Sequence, residues 1–330
     1  MADVYELAER FRQQAVARER AAAARLVREY GKVYARIQAN VSALLAEAET
    51  ARKRGETVNA AWVYQYNRLR RLQAQTEAQM STFADAAGTG IEAAQLESAL
   101  AGQRDASTLM RAALGVRESG VHVAFNVLPR AALNEMIGFT DAGTPLGKLL
   151  AELGPDAARR VSDTLVQNLA LGRNPRQTAR DIRESLGGSL SRALTISRTE
   201  TLRAYREGTR AAYAENSDII SGWRWLSARQ ARTCAACWAM DGQVFENDKP
   251  MPAHPNCRCV MLPVIVGKTD KAGTGADAFA SLGEDGQRQV LGKDYDAWKR
   301  GEVTLQDFVR VRKSPAWGET VSAGRPAILA

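Results

Sequence analysis

The sequence predicts an α+β protein that is mostly helical. It has a long N-terminal helical hairpin or arm, a helical middle region, a small α+β domain with a Cys/His zinc-knuckle-like site, and a short helical C-terminal segment. Three observations predict this. The first proline of the 330-residue chain is Pro129, and the stretch before it is rich in Ala, Arg and Gln with apolar residues at helical spacing. Beyond residue 216 the pattern changes to short aromatic or β-branched runs. All four cysteines fall between Cys234 and Cys259.

The arm is expected over residues 1–114. Apolar side chains recur from Tyr5, Leu7 and Phe11 through Leu26, Tyr30, Val33, Ile37 and Val41 to Leu45, with charges between them, so a first helix should run from about residue 3 to about 53. Gly55 suits a left-handed C-terminal cap, and Thr57 an N-cap for the next helix. That helix should reach about residue 84 and resume after Gly88-Thr89-Gly90 to about 113. Helices of about 50 residues are about 75 Å long at 1.5 Å per residue. A narrow apolar stripe on such helices suits a hairpin or coiled coil that packs on other chains, self-association included, although an ordinary bundle would use the same stripe.

Residues 115–266 should form one domain, helices first and then a small sheet. Gly138, Gly143-Thr144-Pro145 and Gly154-Pro155 break the first half into short helices, and Gly172 ends one of them. Asn174 is a natural N-cap with Pro175 at the first helical position, and that helix should stop at Gly187-Gly188. A further helix is expected over 190–216. Gly222–Leu226, Val244-Phe245 and Cys259–Val266 then read as strands. Residues 267–277 have linker composition, and 278–330 should hold two or three short helices and an extended or disordered tail from Lys313.

Composition narrows the class. Apolar residues make up 45% and charged residues 25%, ordinary values for a folded domain, so a core is available. No run reaches the roughly 18 apolar residues of a membrane span. The opening MADVYELAERFRQQ carries acids and no apolar stretch, so a protein made in the cytoplasm, without a secretory signal, is expected. The net charge of +8 fits either a solvated basic surface or contact with a polyanion such as nucleic acid.

Thiols confined to one short segment of a cytoplasmic protein point to a metal rather than a disulfide framework. Cys234 and Cys237 form a CxxC knuckle, and His254, Cys257 and Cys259 follow across a loop. Zinc takes four tetrahedral N/S ligands, which Cys234, Cys237, His254 and Cys257 supply, with Cys259 as an alternate since residues two apart on a strand share a face. Four protein ligands would close the site and make the zinc structural; reduced, unliganded thiols or one disulfide are the alternatives. A nucleobase deaminase would need His-x-Glu ahead of its Cys pair, and here the sequence is His254-Pro255-Asn256, after it. An HNH-type nuclease needs more histidine than His122 and His254, and His122 lies in an apolar stretch that suits packing or plain surface exposure. Phosphate-binding glycine loops and nucleophile elbows are absent. No catalytic residue is assigned; Glu200 and Asp241 are the carboxylates that a zinc hydrolase could call on as a general base. Glu200 stands in Arg198-Thr199-Glu200, which is either a buried polar network tying its helix to the strands or a solvated charged face.

These residues together carry a resemblance. Ile196-Ser197-Arg198-Thr199-Glu200 with Ala204-Tyr205-Arg206-Glu207-Gly208, then Trp223 and Trp225, then Arg232-Thr233-Cys234-x-x-Cys237 with Met240-Asp241-Gly242 and Phe245, then His254-Pro255-Asn256-Cys257-Arg258-Cys259, resembles the Mu F-like phage minor head protein (head morphogenesis) family over about residues 115–266. The segment from Phe279 to Leu305 is similar to what often follows in that family. Gln230 departs from it, standing where the family usually has Asp. The resemblance implies a minor capsid protein with no established catalysis. It would be present in few copies in the virion, near the portal or the capsid interior, with the portal protein, the major capsid protein and packaged double-stranded DNA as partners. A zinc-dependent hydrolase or a phage-delivered effector enzyme is the alternative.

Overall fold

The computed structural model describes residues 4–116, 125–129, 131–132, 145–171, 173–268, 275–314 and 317–329. His122, the turns at Gly138 and Gly143-Thr144, the helix stop at Gly172 and linker positions 269–274 lie outside the described residues. In order the elements are α1 (Val4–Lys53), α2 (Ala60–Tyr64), a 3-10 turn (Gln65–Asn67), α3 (Arg68–Leu114), α4 (Pro145–Ala151), α5 (Leu153–Ala170), α6 (Pro175–Ala214), β1 (Ile220–Leu226), α7 (Ala235–Met240), β2 (Val244–Phe245), β3 (Val260–Ile265), α8 (Gly275–Ala280), α9 (Gly283–Leu291), α10 (Tyr295–Lys299), β4 (Val309–Ser314) and β5 (Gly318–Ala323). The α+β class with long N-terminal helices and a small sheet is the one the sequence predicts.

The chain divides into two compact units, and α1, α3 and α6 contribute residues to both. One unit, residues 21–92 and 139–197, is all-helical among its described residues. Within it α1 and α3 run antiparallel, as three pairings show: the Tyr30 and Phe83 rings meet edge to face at 5.2 Å, Arg36 donates to Gln79 and Arg68 pairs with Glu47 at 2.7 Å. The turn between them differs from expectation at its cap. Gly55 is left-handed as expected (φ 81°), but Asn59, not Thr57, caps α2, its carboxamide oxygen accepting from the Trp62 amide. Helix α3 runs unbroken through Gly88-Thr89-Gly90.

Helix α6 likewise crosses Gly187-Gly188 without a stop. The helix cost of glycine, about 1 kcal/mol against Ala, is too small to stop a helix of 40 residues, and at Gly188 the end of the Arg160 side chain of α5 occupies the space a Cβ would take. The start of α6 is as read from the sequence, with the Asn174 side chain accepting from the Gln177 amide and Pro175 in the first turn.

The other unit, residues 1–20, 93–138 and 198–330, holds both sheets. Strand β1 lies between β2 and β3, antiparallel to each, with Trp223 opposite Phe245 and Trp225 opposite Met261. Trp223 and Trp225 are fully buried and Trp223 stacks on Phe245 at 4.4 Å. Around them gather Met110, Tyr213, Met240, Met251, Cys237, Cys257 and Cys259, so the cysteines belong to the hydrophobic core. Helices α3 and α6 cross at glycines on both sides: a Cβ on Gly102 would meet the Tyr205 carbonyl oxygen at 2.1 Å, and one on Gly208 the Ala99 carbonyl oxygen at 2.1 Å. The C-terminal tail forms a β4–β5 hairpin, more ordered than its composition suggests. Its anchor is tertiary, because the Val321 amide donates to the Pro252 carbonyl and the buried Val321 joins the core around the cysteines.

Candidate metal centre

Each Cys/His residue is placed by an element of the small domain. Cys234 caps the start of α7 and Cys237 lies one turn on, so the CxxC spacing puts both thiols on one side of that turn. A loop that leaves β2 returns through His254 and Cys257 to Cys259, which enters β3. Asn256 takes a left-handed conformation there (φ 66°), tolerable for asparagine, and this brings the His254 ring and the Cys257 thiol back towards α7.

The five residues fall into two overlapping groups. The donor atoms of Cys234, Cys237 and His254 lie within 4.8 Å of one another, as do those of Cys237, Cys257 and Cys259, so Cys237 is common to both sets. The His254 Nε2 is 3.3 Å from the sulfurs of both Cys234 and Cys237, and Cys237 Sγ is 3.7 Å from Cys257 Sγ. A tetrahedral zinc with bonds of about 2.1 Å to nitrogen and 2.3 Å to sulfur would separate its donors by roughly 3.6–3.8 Å, close to these spacings, and the N/S chemistry suits such an ion. The His254 Nδ1 donates to the Pro255 carbonyl at 2.8 Å, which leaves Nε2 to face the sulfurs.

The electrostatics favour charge separation. Hydrogen bonding from Cys237 and the contact with His254 bring the Cys234 thiol down to about 5 against the effect of burial. Burial opposes a charged His254, but its bond with Cys234 and the charges of Cys257 and Cys234 raise it to about 9. Cys257 is held well below the usual thiol value by Cys237 and Cys259, with Arg206 adding, while Cys237 is pushed up by its thiol neighbours and Cys259 by burial. Cys234 and Cys257 are thus the thiols most readily ionised, the form a soft cation binds.

Helix α6 holds the loop. Buried Arg206 donates to the carbonyls of both Cys257 and Cys259. Arg198 donates to Asn256 Oδ1 at 2.9 Å and pairs with buried Glu19 at 2.8 Å, and the Asn256 amide donates to Thr199 Oγ1. The Arg198-Thr199-Glu200 motif is therefore the polar network, not a solvated face, and Thr199 and Glu200 are buried. Arg206, Asn256 and Glu19 had no role assigned from sequence. An asparagine between Pro255 and Cys257 is the one local signal, since it marks a left-handed turn.

Neither carboxylate considered as a general base belongs to these groups. Both oxygens of Glu200 accept hydrogen bonds, from Trp317 Nε1 at 2.9 Å and Gln95 at 3.3 Å, and burial raises its pKa. Asp241, its side chain fully buried, takes two bonds from the Arg229 guanidinium and one from the Ser227 amide. Both carboxylates are tied into the fold.

Beside the sulfurs lies a depression of about 50 Å³ lined by Gln230, Arg232, Thr233, Asn256, Arg258 and the Cys/His residues. Burial and the nearby charges of Arg232, Arg198 and Arg20 lower the Arg258 pKa, with Glu19 opposing.

Comparison with known proteins places this region. Residues 159–262, which contain α6, β1, α7, β2 and the whole Cys/His loop, match the family described as Phage Mu protein F like protein. Among curated proteins the chain is similar to NAD(+)--arginine ADP-ribosyltransferase EFV of Enterococcus faecalis, 24% identical over 177 residues, which cover 48% of this chain and 34% of that protein. The chain thus spans about a third of the length of the curated relative it matches. No solved structure matches. No helix among the described residues is long and apolar enough to cross a membrane. By the motifs of its sequence and by this match, residues 159–262 are similar to the Mu F-like phage protein family.

Proposed function

We propose that this chain is a minor capsid protein of a tailed phage, present in few copies at the portal vertex or capsid interior, where it assists head assembly and DNA packaging or ejection. The observation that carries the reading is the match of residues 159–262 to the Mu F-like family, which spans the Cys/His loop and the α6 residues that hold it. Cys234, Cys237, His254 and Cys257 would hold a structural Zn2+, with Cys259 as alternate ligand, and the metal would staple α7 to the start of β3. The portal protein, the major capsid protein and double-stranded DNA are the proposed partners. Residues 1–114 serve as a helical arm for partner contact or self-association, residues 115–266 as the head morphogenesis domain, and 278–330 as a C-terminal segment joined through 267–277.

The name of the curated relative supports a second reading, an enzyme delivered with the particle. The geometry favours it less. A catalytic zinc needs a free base nearby, whereas here Glu200 and Asp241 are already hydrogen-bonded and neither belongs to the two groups of candidate ligands that share Cys237.

Quantitative mass spectrometry of purified, DNA-filled particles tests the proposal. A few to tens of copies per particle, against the major shell protein, is the expected result; absence from mature particles would overturn it.

A further inference from the structure

Arg232 and Arg258 line the small depression beside the Cys/His centre, and Arg198 and Arg20 lie close enough to repel Arg258. Glu19 is the carboxylate facing this group, and one of its oxygens is already taken by Arg198. Four guanidiniums against one carboxylate leave a local cationic excess. Neutralising the thiolates does not require it, because Arg206 already lies against Cys257 and Cys259 from the helix side. The Nε of Arg258 is buried and has no hydrogen-bond partner, so a donor there is left unsatisfied. Arg232 is exposed, so its planar fork is accessible.

The depression is far smaller than the roughly 300–1,000 Å³ of a drug-sized ligand's pocket, but one oxyanion group could enter it. Gln230, Thr233 and Asn256 add polar side chains to its wall. Guanidinium forks bind phosphate oxygens bidentately, and duplex DNA offers one such charge about every 1.7 Å.

We propose that Arg232 and Arg258, supported by Arg198 and Arg20, form a phosphate-binding site for the backbone of double-stranded DNA, built against the Cys/His centre. The inference rests on the reading of the chain as a head protein that meets DNA, and it adds where the contact is made. Recognition there is independent of sequence, since phosphates carry no base information.

The test is fluorescence anisotropy of the full-length, metal-replete protein with a short duplex of mixed sequence over a salt series. Arg232→Gln and the pair Arg232→Gln/Arg258→Gln are compared with Arg176→Gln/Arg180→Gln, exposed charges of the helical unit outside the N-terminal arm. The expected result is a loss of about tenfold or more for the site pair, with the salt slope reduced by about one per lost phosphate contact, and little change for the control pair. Inorganic phosphate in excess should compete with the duplex. Metal content and thermal midpoint of each variant show whether it folds, and the single Arg232→Gln change, at an exposed position, keeps the test readable if the pair does not. Equal losses in site and control pairs, or an unchanged slope, would overturn the site. A wild-type protein that fails to bind duplex would overturn it too, and the copy count in particles would still stand as a separate test of the head-protein reading.

Discussion

The Cα of Gly208 packs so closely on the Ala99 carbonyl that a methyl group there would sit 2.1 Å from the oxygen. The crossing of α3 and α6 depends on that missing side chain. Gly208→Ala should therefore destabilise the protein by at least the ~1–3 kcal/mol typical of overpacking. Gly187 sits in the same helix with open space at its Cβ, so Gly187→Ala should be neutral or stabilising by up to about 1 kcal/mol. Urea unfolding midpoints separate the two, and similar midpoints would refute the close crossing.

Arg206 carries the second prediction. It is buried and satisfies two backbone carbonyls that flank Arg258. Arg206→Met would leave both acceptors unpaired, at about 1–3 kcal/mol each. As a support of the ligand loop it should also lower metal affinity by about 10–100-fold. Zinc competition against a chromogenic chelator measures this. Unchanged affinity with lowered stability would mean that Arg206 braces the fold without tuning the site.

A chelator series addresses the ligand set. Cys237 is common to both groups of donors, so Cys237→Ser should abolish metal binding and destabilise the unit that contains the sheets. Cys259→Ser should keep about one zinc per chain if His254 is the fourth ligand. Retention of zinc by His254→Ala and its loss from Cys259→Ser would instead assign four cysteines. Metal content by plasma emission spectrometry, alongside circular dichroism, gives the answer.

Glu200 makes stability depend on pH. Burial raises its pKa above the ordinary 4.5, with Arg203 and the Trp317 bond opposing. A carboxyl raised in the folded state binds its proton more tightly there than in the unfolded chain. Its contribution is thus fully present below about 4.5 and is lost as pH rises through the folded value. Wild type should lose stability relative to Glu200→Gln as pH increases from 4 to 7.5. Denaturant titrations of both proteins across that range check the sign, and a difference that grows in favour of wild type with pH would show the ionised form to be the stabilised one.

Much of this protein was legible along the chain because the signals were local. Period-3.6 stripes marked α1 and α3, Asn174-Pro175 marked the start of α6, and alternating tryptophans marked β1. The spacing of Cys234, Cys237, His254 and Cys257 pointed to side chains that lie near one another, and the structure gathers them with Cys259 into two groups that share Cys237. Gly187-Gly188 and Gly88-Thr89-Gly90 read as helix stops, yet α6 and α3 run through both, since each glycine costs a helix only about 1 kcal/mol against Ala and the packing of long helices outweighs it. The tail after Lys313 has the composition of a loose end, and its hairpin is anchored by Pro252, 69 positions before Val321 in sequence. The tertiary structure alone decided that Arg198, Thr199 and Arg206 hold the Cys/His loop, that Glu200 and Asp241 are tied into the fold, and that Arg232 and Arg258 line a depression beside the thiols. Those relationships join residues far apart in the chain, and no local pattern of side chains encodes them.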